Sequence, residues 1–378
     1  MPIYMDRHNL SASVTAENVA HIHQEDLKIQ DQYGCRGLTY WFDDIRKTAF
    51  CLIDAPDEEA LKEMHRVAHG DVPHIVIEVE PNIVESFLGR IEDPLKAQNS
   101  SLNIINDPAF RTIMLMVLDK SVLNKNNSPE QKIALDKFND GVSSILKSYA
   151  GAMVKQGERQ WLVSFNCVSN GVHAAIDIHA LFKCFIKEAG HKKINLKTGI
   201  SAGAPVTEKK LIFEDCIKSV ERMCSAINGD IIISPEVKDL YNSENTKALD
   251  EEKTVTALTY AEENFLNLLM DFTEERWSDV NLKAEDFCRP LGCSKSQVYR
   301  KMIRLTGKSP NTFIKEYRLS AALQLLHDHS RNISEIAFET GFSSPSYFSK
   351  CFQKRYGYVP SEYFSASTPS NHKHFNLN

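Results

Sequence analysis

"GFSSPSYFSKCFQKRYGYVP", residues 341–360, decides how the C-terminal quarter of the chain is read. A Gly turn and small polar residues lead into a run that mixes aromatics with Lys and Arg, and a second Gly and a Pro close it. A related stretch, "GCSKSQVYRKMIRLTGKSP", occupies residues 292–310. With Gly292 set on Gly341, Ser294 falls on Ser343, and both copies end in Gly-x-x-Pro, at Gly307 with Pro310 and at Gly357 with Pro360. Each copy follows a short amphipathic segment, LKAEDFCRPLG or NISEIAFETG, ending in a Gly that tolerates a left-handed cap. The expected unit is helix, Gly turn, helix, and it occurs twice.

In the first unit Ser294 can cap the second helix, where Val298, Met302 and Leu305 recur at i, i+4 and i+7 as a buried stripe. Ser296, Gln297, Arg300, Lys301 and Arg304 project from the other face, and Arg or Gln there can pair bidentately with guanine or adenine edges. In the second unit Phe348 and Phe352 point inward and Ser346, Ser349, Lys350 and Gln353 outward, with Lys354 and Arg355 placed for phosphates. The Leu- and Ala-rich segment 311–330 predicts a long helix between the units. Two heads held by one helix should read double-stranded DNA at half-sites ~10 bp apart.

Charge agrees with that assignment. The chain has 378 residues and a net charge of -6, but residues 281–378 hold fourteen Lys and Arg against seven Asp and Glu. That segment is therefore +7 and the remainder -13, the asymmetry expected when one domain of several meets a polyanion. The length suggests two or three domains and 42% hydrophobic residues suffice for packed cores. No apolar run is long enough for a membrane span, and MPIYMDRHNL has neither the basic lead nor the apolar core of a secretion signal. The cytoplasm is the expected compartment. Nine cysteines without a CxxC suit small core residues in a reduced compartment.

Residues 262–366, from "NFLNLLMDFTEERWSDVNL" through "GFSSPSYFSKCFQKRYGYVPSEYF", strongly resemble the AraC-type transcription regulators. The resemblance implies an all-α domain of two helix-turn-helix subdomains, each with a recognition helix in the major groove. Carried over by motif position, Ser296, Tyr299 and Arg300 would face bases in the first groove, and Pro345, Ser346, Ser349 and Lys350 in the second. Pro and Ser are modest base readers, so the second head would position more than it specifies.

At the other end, six of thirteen histidines fall within residues 1–74. In "EEALKEMHRVAHG" His65 and His69 stand at i, i+4 on one expected helix face, a spacing that suits Ni, Zn or Cu. Two ligands are not a site, and taken alone the pair reads better as a polar helix face. "KTAFCLIDAP" and "PHIVIEVEP" read as strands and segments 15–31 and 57–69 as helices, giving a small α+β domain over residues 1–92. "YMDRHNL", "HQEDLKIQDQYGCRGLTYWF" and "FCLIDAPDEEALKEMHRVAHG" resemble small bacterial ferredoxin-like barrel proteins, some of them nickel-binding. That resemblance implies Ni(II) or another divalent transition metal, with His65, His69 and His8 as ligands.

Residues 108–242 alternate strands and helices in the split βαβ manner of an α/β sandwich. "MLMVLDKS", "LKTGISAGAPV" and "NGDIIISPEVKDLY" distantly resemble class III nucleotidyl cyclases. The resemblance puts Asp119 at the first metal-binding carboxylate. The second falls on Glu158 in "GERQ", and "CIKSVERMC" keeps Arg222 but has Lys218 where an Asn is usual. A cyclase-like domain without catalysis is the expectation, serving dimerisation or the sensing of a nucleotide or other small effector. Segment 243–261 reads as a polar tether, and 367–378 as a tail. Together the parts predict a homodimeric DNA-binding regulator that responds to a metal or small ligand. A cyclase regulated by a DNA-binding tail, and a metal-binding protein with vestigial DNA binding, are the rival readings.

Overall fold

The computed structural model describes residues 1–94, 102–118, 129–157, 159–189, 194–245, 249, 254–327 and 331–366. The first unit runs β1 (Ile3–Asn9), α1 (Ala16–Ile29), β2 (Arg36–Asp43), β3 (Thr48–Asp54), α2 (Glu58–Ala68), β4 (Ile75–Val79) and α3 (Pro81–Leu88). Its antiparallel sheet has the order β2-β3-β1-β4, the ferredoxin-like arrangement. The strands form an open sheet with β2 and β4 at its edges, not the closed barrel expected from the sequence. Thr15 and Asn18 cap α1 reciprocally, and Asp57 accepts from Ala60 N at the start of α2. Because side chains alternate along a strand, Tyr4, Asp6 and His8 of β1 share the face covered by the two helices. Met5 lies on the other face, where Leu52 and Ile77 pack against Ile113, Leu115, Phe213 and Val220 of the next unit.

That second unit contains β5 (Arg111–Leu118), α4 (Pro129–Ser148), β6 (Ala152–Gln156), β7 (Gln160–Phe165), α5 (Val168–Ala189), β8 (Leu196–Gly203), α6 (Glu214–Ala226), β9 (Ile231–Ile233), α7 (Pro235–Glu244) and β10 (Val255–Ala257). Its six strands are ordered β10-β9-β8-β5-β7-β6, with β5 antiparallel to β7 and β8, and β8, β9 and β10 mutually parallel. Helices α4, α5 and α7 cover one face around Phe138, Trp161, Ile178 and Tyr241. The segment expected as a tether, 243–261, is partly built into this unit: α7 reaches Glu244, and Val255–Ala257 pairs with Ile231–Ile233. Three alternating residues, Val-Thr-Ala, suffice for a short edge strand where a parallel partner is at hand.

The C-terminal part is helical: α8 (Tyr260–Arg276), α9 (Lys295–Thr306), α10 (Pro310–His327), α11 (Ile333–Glu339), α12 (Pro345–Tyr356) and α13 (Pro360–Ala366). Ser294, Asn332 and Ser344 cap α9, α11 and α12, and Gly307 and Gly357 end α9 and α12 in the left-handed region. Segment 282–292, expected as a helix, is a run of tight turns, with Asp286 N on Lys283 O, Cys288 N on Glu285 O and Gly292 N on Arg289 O. Pro290 has no N–H to continue a helix and disfavours the helical region at Arg289.

Candidate nucleic-acid interface and candidate metal centre

Helix α9 buries Val298, Met302 and Leu305 and so exposes Ser296, Gln297, Tyr299, Arg300, Lys301 and Arg304. Several of these are already engaged. Gln297 Oε1 accepts from Ser294 N at 2.8 Å in the capping box, which removes its acceptor from base reading. Lys301 bends back to 3.4 Å from Cys293 Sγ and 5.1 Å from the Phe265 ring centre. Arg304 donates to Glu262 Oε1 of α8 at 2.7 Å. Among the described residues Arg300 makes no side-chain hydrogen bond or ion pair, and it is exposed in the N-terminal half of the helix. On α12 Phe348, Phe352 and Tyr356 are buried, Ser346, Lys350, Lys354 and Arg355 are exposed, and Pro345 and Ser349 are half-buried. Tyr347, which the sequence reading left out, is 53% exposed near the start of α12. Its place beside Ser346 could have flagged it.

The N-terminal histidines converge, with partners that their spacing could not reveal. His65 is fully buried, its Nε2 3.0 Å from Asp6 Oδ2 and its Nδ1 3.1 Å from Asp26 Oδ1. His69 Nε2 lies 3.1 Å from that same Asp26 oxygen and 3.0 Å from His65 Nδ1. His8 lies 3.4 Å from Asp6 and 3.3 Å from Asp71, yet neither of its buried ring nitrogens has an aligned hydrogen bond. Burial alone would lower the His65 pKa, but Asp26 and Asp6 outweigh it and push the imidazole up to about 10. His8 is likewise raised, to about 9, chiefly by Asp6 against its own burial. Burial would raise the Asp6 carboxyl, but His8 and His65 hold it well below the usual carboxylate range.

Two trios, Asp6 with His8 and Cys51, and Asp26 with His65 and His69, each have their ligand atoms within 4.8 Å of one another. Imidazole and carboxylate donors, orphaned ring nitrogens on His8 and a thiol beside them fit a divalent transition-metal ion. All three histidines expected as ligands are therefore brought together. The sequence reading missed Asp6, Asp26, Cys51 and Asp71, although Asp6 stands two residues before His8 on a strand and so had to share its face.

Of the residues placed by the cyclase resemblance, Asp119 and Glu158 lie outside the described residues. Arg222 is buried and turned toward α8. Its Nε lies 3.2 Å from Glu274 Oε1, its Nη2 2.8 Å from Glu274 Oε2 and 2.5 Å from Asp271 Oδ1, and its Nη1 3.2 Å from Asn267 Oδ1. Lys218 stands 3.9 Å from both carboxylates.

Fold and sites thus define a multidomain protein with an α+β domain at one end and a helix-turn-helix domain at the other. Residues 287–366 match the family model "Helix-turn-helix domain", and residues 4–79 match "Nickel responsive protein SCO4226-like". The chain carries an AraC-type helix-turn-helix domain at its C-terminus and an SCO4226-like domain at its N-terminus. Neither model reaches the six-stranded sheet.

Among similar proteins, "Histidine kinase P4" of Formosa agariphila is 38% identical over 102 residues, 27% of this chain and 7% of that protein. "HTH-type transcriptional regulator ExsA" of Pseudomonas aeruginosa is 38% identical over 79 residues, 21% of this chain and 28% of that one. The chain thus spans less than a third of the length of these relatives. The solved structure of SCO4226 from Streptomyces coelicolor A3(2) is 27% identical, covers 20% of this chain and 94% of its own, and has a TM-score of 0.20. Among the described residues no helix is long and apolar enough to cross a membrane.

Proposed function

We propose that this protein is a cytoplasmic, sequence-specific DNA-binding transcription regulator whose affinity for DNA responds to a metal ion held in its N-terminal domain. The observation that carries the reading is the pair of capped helices, α9 and α12, presented with basic and polar outer faces by two helix-turn-helix units on one linker helix. Arg300 reads base edges in the first groove, with Ser296 and Tyr299 beside it. In the second groove Pro345, Ser346, Ser349 and Lys350 lie toward the bases, and Lys354 and Arg355 toward phosphates.

Asp6, His8, Asp26, His65 and His69 hold the metal, with Cys51 in reach. A bound divalent cation, Ni(II) first among them, would replace protons in this network and cross-link β1, α1 and α2. The middle unit serves as a cyclase-like dimerisation or effector-sensing domain and not as an enzyme. Its Arg222 is engaged by Asn267, Asp271 and Glu274 of α8.

The test is DNA affinity by fluorescence anisotropy, on a duplex selected by the full-length protein, with and without Ni(II) at fixed salt. Tight binding that changes ~10-fold with nickel, about 1.4 kcal/mol of coupling, is expected. Absence of tight binding on any selected duplex would refute the regulator reading. Tight binding that ignores nickel would refute metal control alone.

A further inference from the structure

The two reading heads have separate apolar cores, and the boundary between them falls inside the linker helix. Phe313 and Ile314 of α10 pack with Phe265, Leu269, Val298 and Met302 of the first head. From Leu319 onward the same helix packs with Ile336, Phe342, Phe348 and Phe352 of the second. Between the heads lies a cleft of about 250 Å³, reached by Leu282 and Ile314 on one side and Phe342 and Tyr347 on the other. Among the described residues the two apolar clusters do not merge across that cleft, so the linker helix and the polar contacts where it passes between the heads set their angle.

Arg318 stands at the boundary, between the last side chain of one core and the first of the next. Its Nε donates to Trp277 O at 2.8 Å and its Nη2 to Asp279 O at 2.6 Å, two carbonyls at the end of α8 and in the loop beyond it. The turn of the second head closes on the same spot. Gly341 sits at φ +76°, and a Cβ there would lie 2.9 Å from both Arg318 Nε and Ser278 O. One guanidinium is therefore bonded to the first head, carried by the linker helix and covered by the turn of the second.

We infer that Arg318 is a positioning residue that fixes the separation and twist of the two reading heads, and so determines which half-site spacing the protein accepts. It acts on DNA through α8 and the Gly341 turn. The inference rests on the DNA-binding reading above. B-form DNA turns by roughly a tenth of a revolution per base pair, so a head pair locked at this junction matches one spacing and misses its neighbours.

The experiment uses the full-length protein and a selected duplex whose centre is lengthened or shortened by one and two base pairs, with anisotropy measured at several salt concentrations. Wild type is expected to lose affinity ~10-fold or more on a two-base-pair change. Arg318→Ala should flatten that profile to within ~3-fold while keeping the wild-type salt slope, because the residue neutralises no phosphate. Gly341→Ala disturbs the same junction from the second head, through a collision with backbone, and should flatten the profile as well. It carries the test if Arg318→Ala fails to fold.

A wild-type spacing profile in the variants, or a salt slope smaller by about one contact for Arg318→Ala, would overturn the inference and leave the regulator reading intact. A wild type that binds no duplex would sink both.

Discussion

Asp6 is a carboxylate with no access to water, in the middle of a strand. It is kept ionised by His8, 3.4 Å away, and His65, whose Nε2 lies 3.0 Å away, and it also accepts from Cys51 N at 2.9 Å. Removing one partner of such a buried pair strands the other, so Asp6→Asn should cost about 3–5 kcal/mol of stability in metal-free protein, measured by urea unfolding with a chelator present. His179 has the opposite character. It is buried on α5 with Thr198 Oγ1 at 2.9 Å, and burial lowers its pKa to about 4. The unfolded chain therefore binds this proton first as pH falls, so stability is full above about 6.5 and declines until about 4. Thermal unfolding midpoints across that window should fall for wild type and fall less for His179→Gln. At the interface, Arg300→Ala should lose ~1–3 kcal/mol on the selected site and relax one half of it, whereas Lys354→Ala should weaken selected and random duplexes alike. Equal losses on both duplexes for Arg300→Ala would mean that another face reads the bases.

Helix α8 shows where element-scale reading of the sequence stops. Arginines from three other helices reach it or the turn that follows it: Arg304 of α9 at Glu262, Arg222 of α6 at Asn267, Asp271 and Glu274, and Arg318 of α10 at the carbonyls of Trp277 and Asp279 just beyond its end. Periodicity found the faces that these helices bury, since Val298, Met302, Phe348 and Phe352 follow local spacing and Ser294 marks its own cap. It could not find Arg222's partners, some fifty residues further along, because nothing local records a pairing between domains. For the same reason the outer faces of α9 and α12 were legible, while the engagement of Gln297, Lys301 and Arg304 was not. His65 and His69 were visible as an i, i+4 pair, whereas Asp26 joins them only once α1 and α2 are laid side by side. A double-mutant cycle of Arg222→Ala and Glu274→Ala should be non-additive by about 0.5–3 kcal/mol in urea unfolding. The carboxylate is over a third exposed, which favours the lower end. Simple additivity would mean the contact contributes nothing.

At the scale of the whole molecule, apolar clusters cross the boundaries suggested by sequence composition. The N-terminal sheet shares its second face with the six-stranded unit, and that unit shares Met223, Ala226, Ile227 and Ile232 with the first reading head. The second head keeps a cluster of its own. Phe348→Ala, about 3–5 kcal/mol by cavity formation, should therefore loosen the C-terminal half of α10 with α11 to α13 and spare the rest. Hydrogen exchange would show this as lost protection confined to the chain from residue 319 onward. The shared cluster also bears on modularity. A gene fragment beginning near residue 260 would separate Phe265, Leu266 and Leu269 from the α6 and β9 side chains that cover them, and would present that face to solvent. A chimaera that borrows the C-terminal domain of this chain is therefore expected to need α6 with it or an equivalent apolar seat.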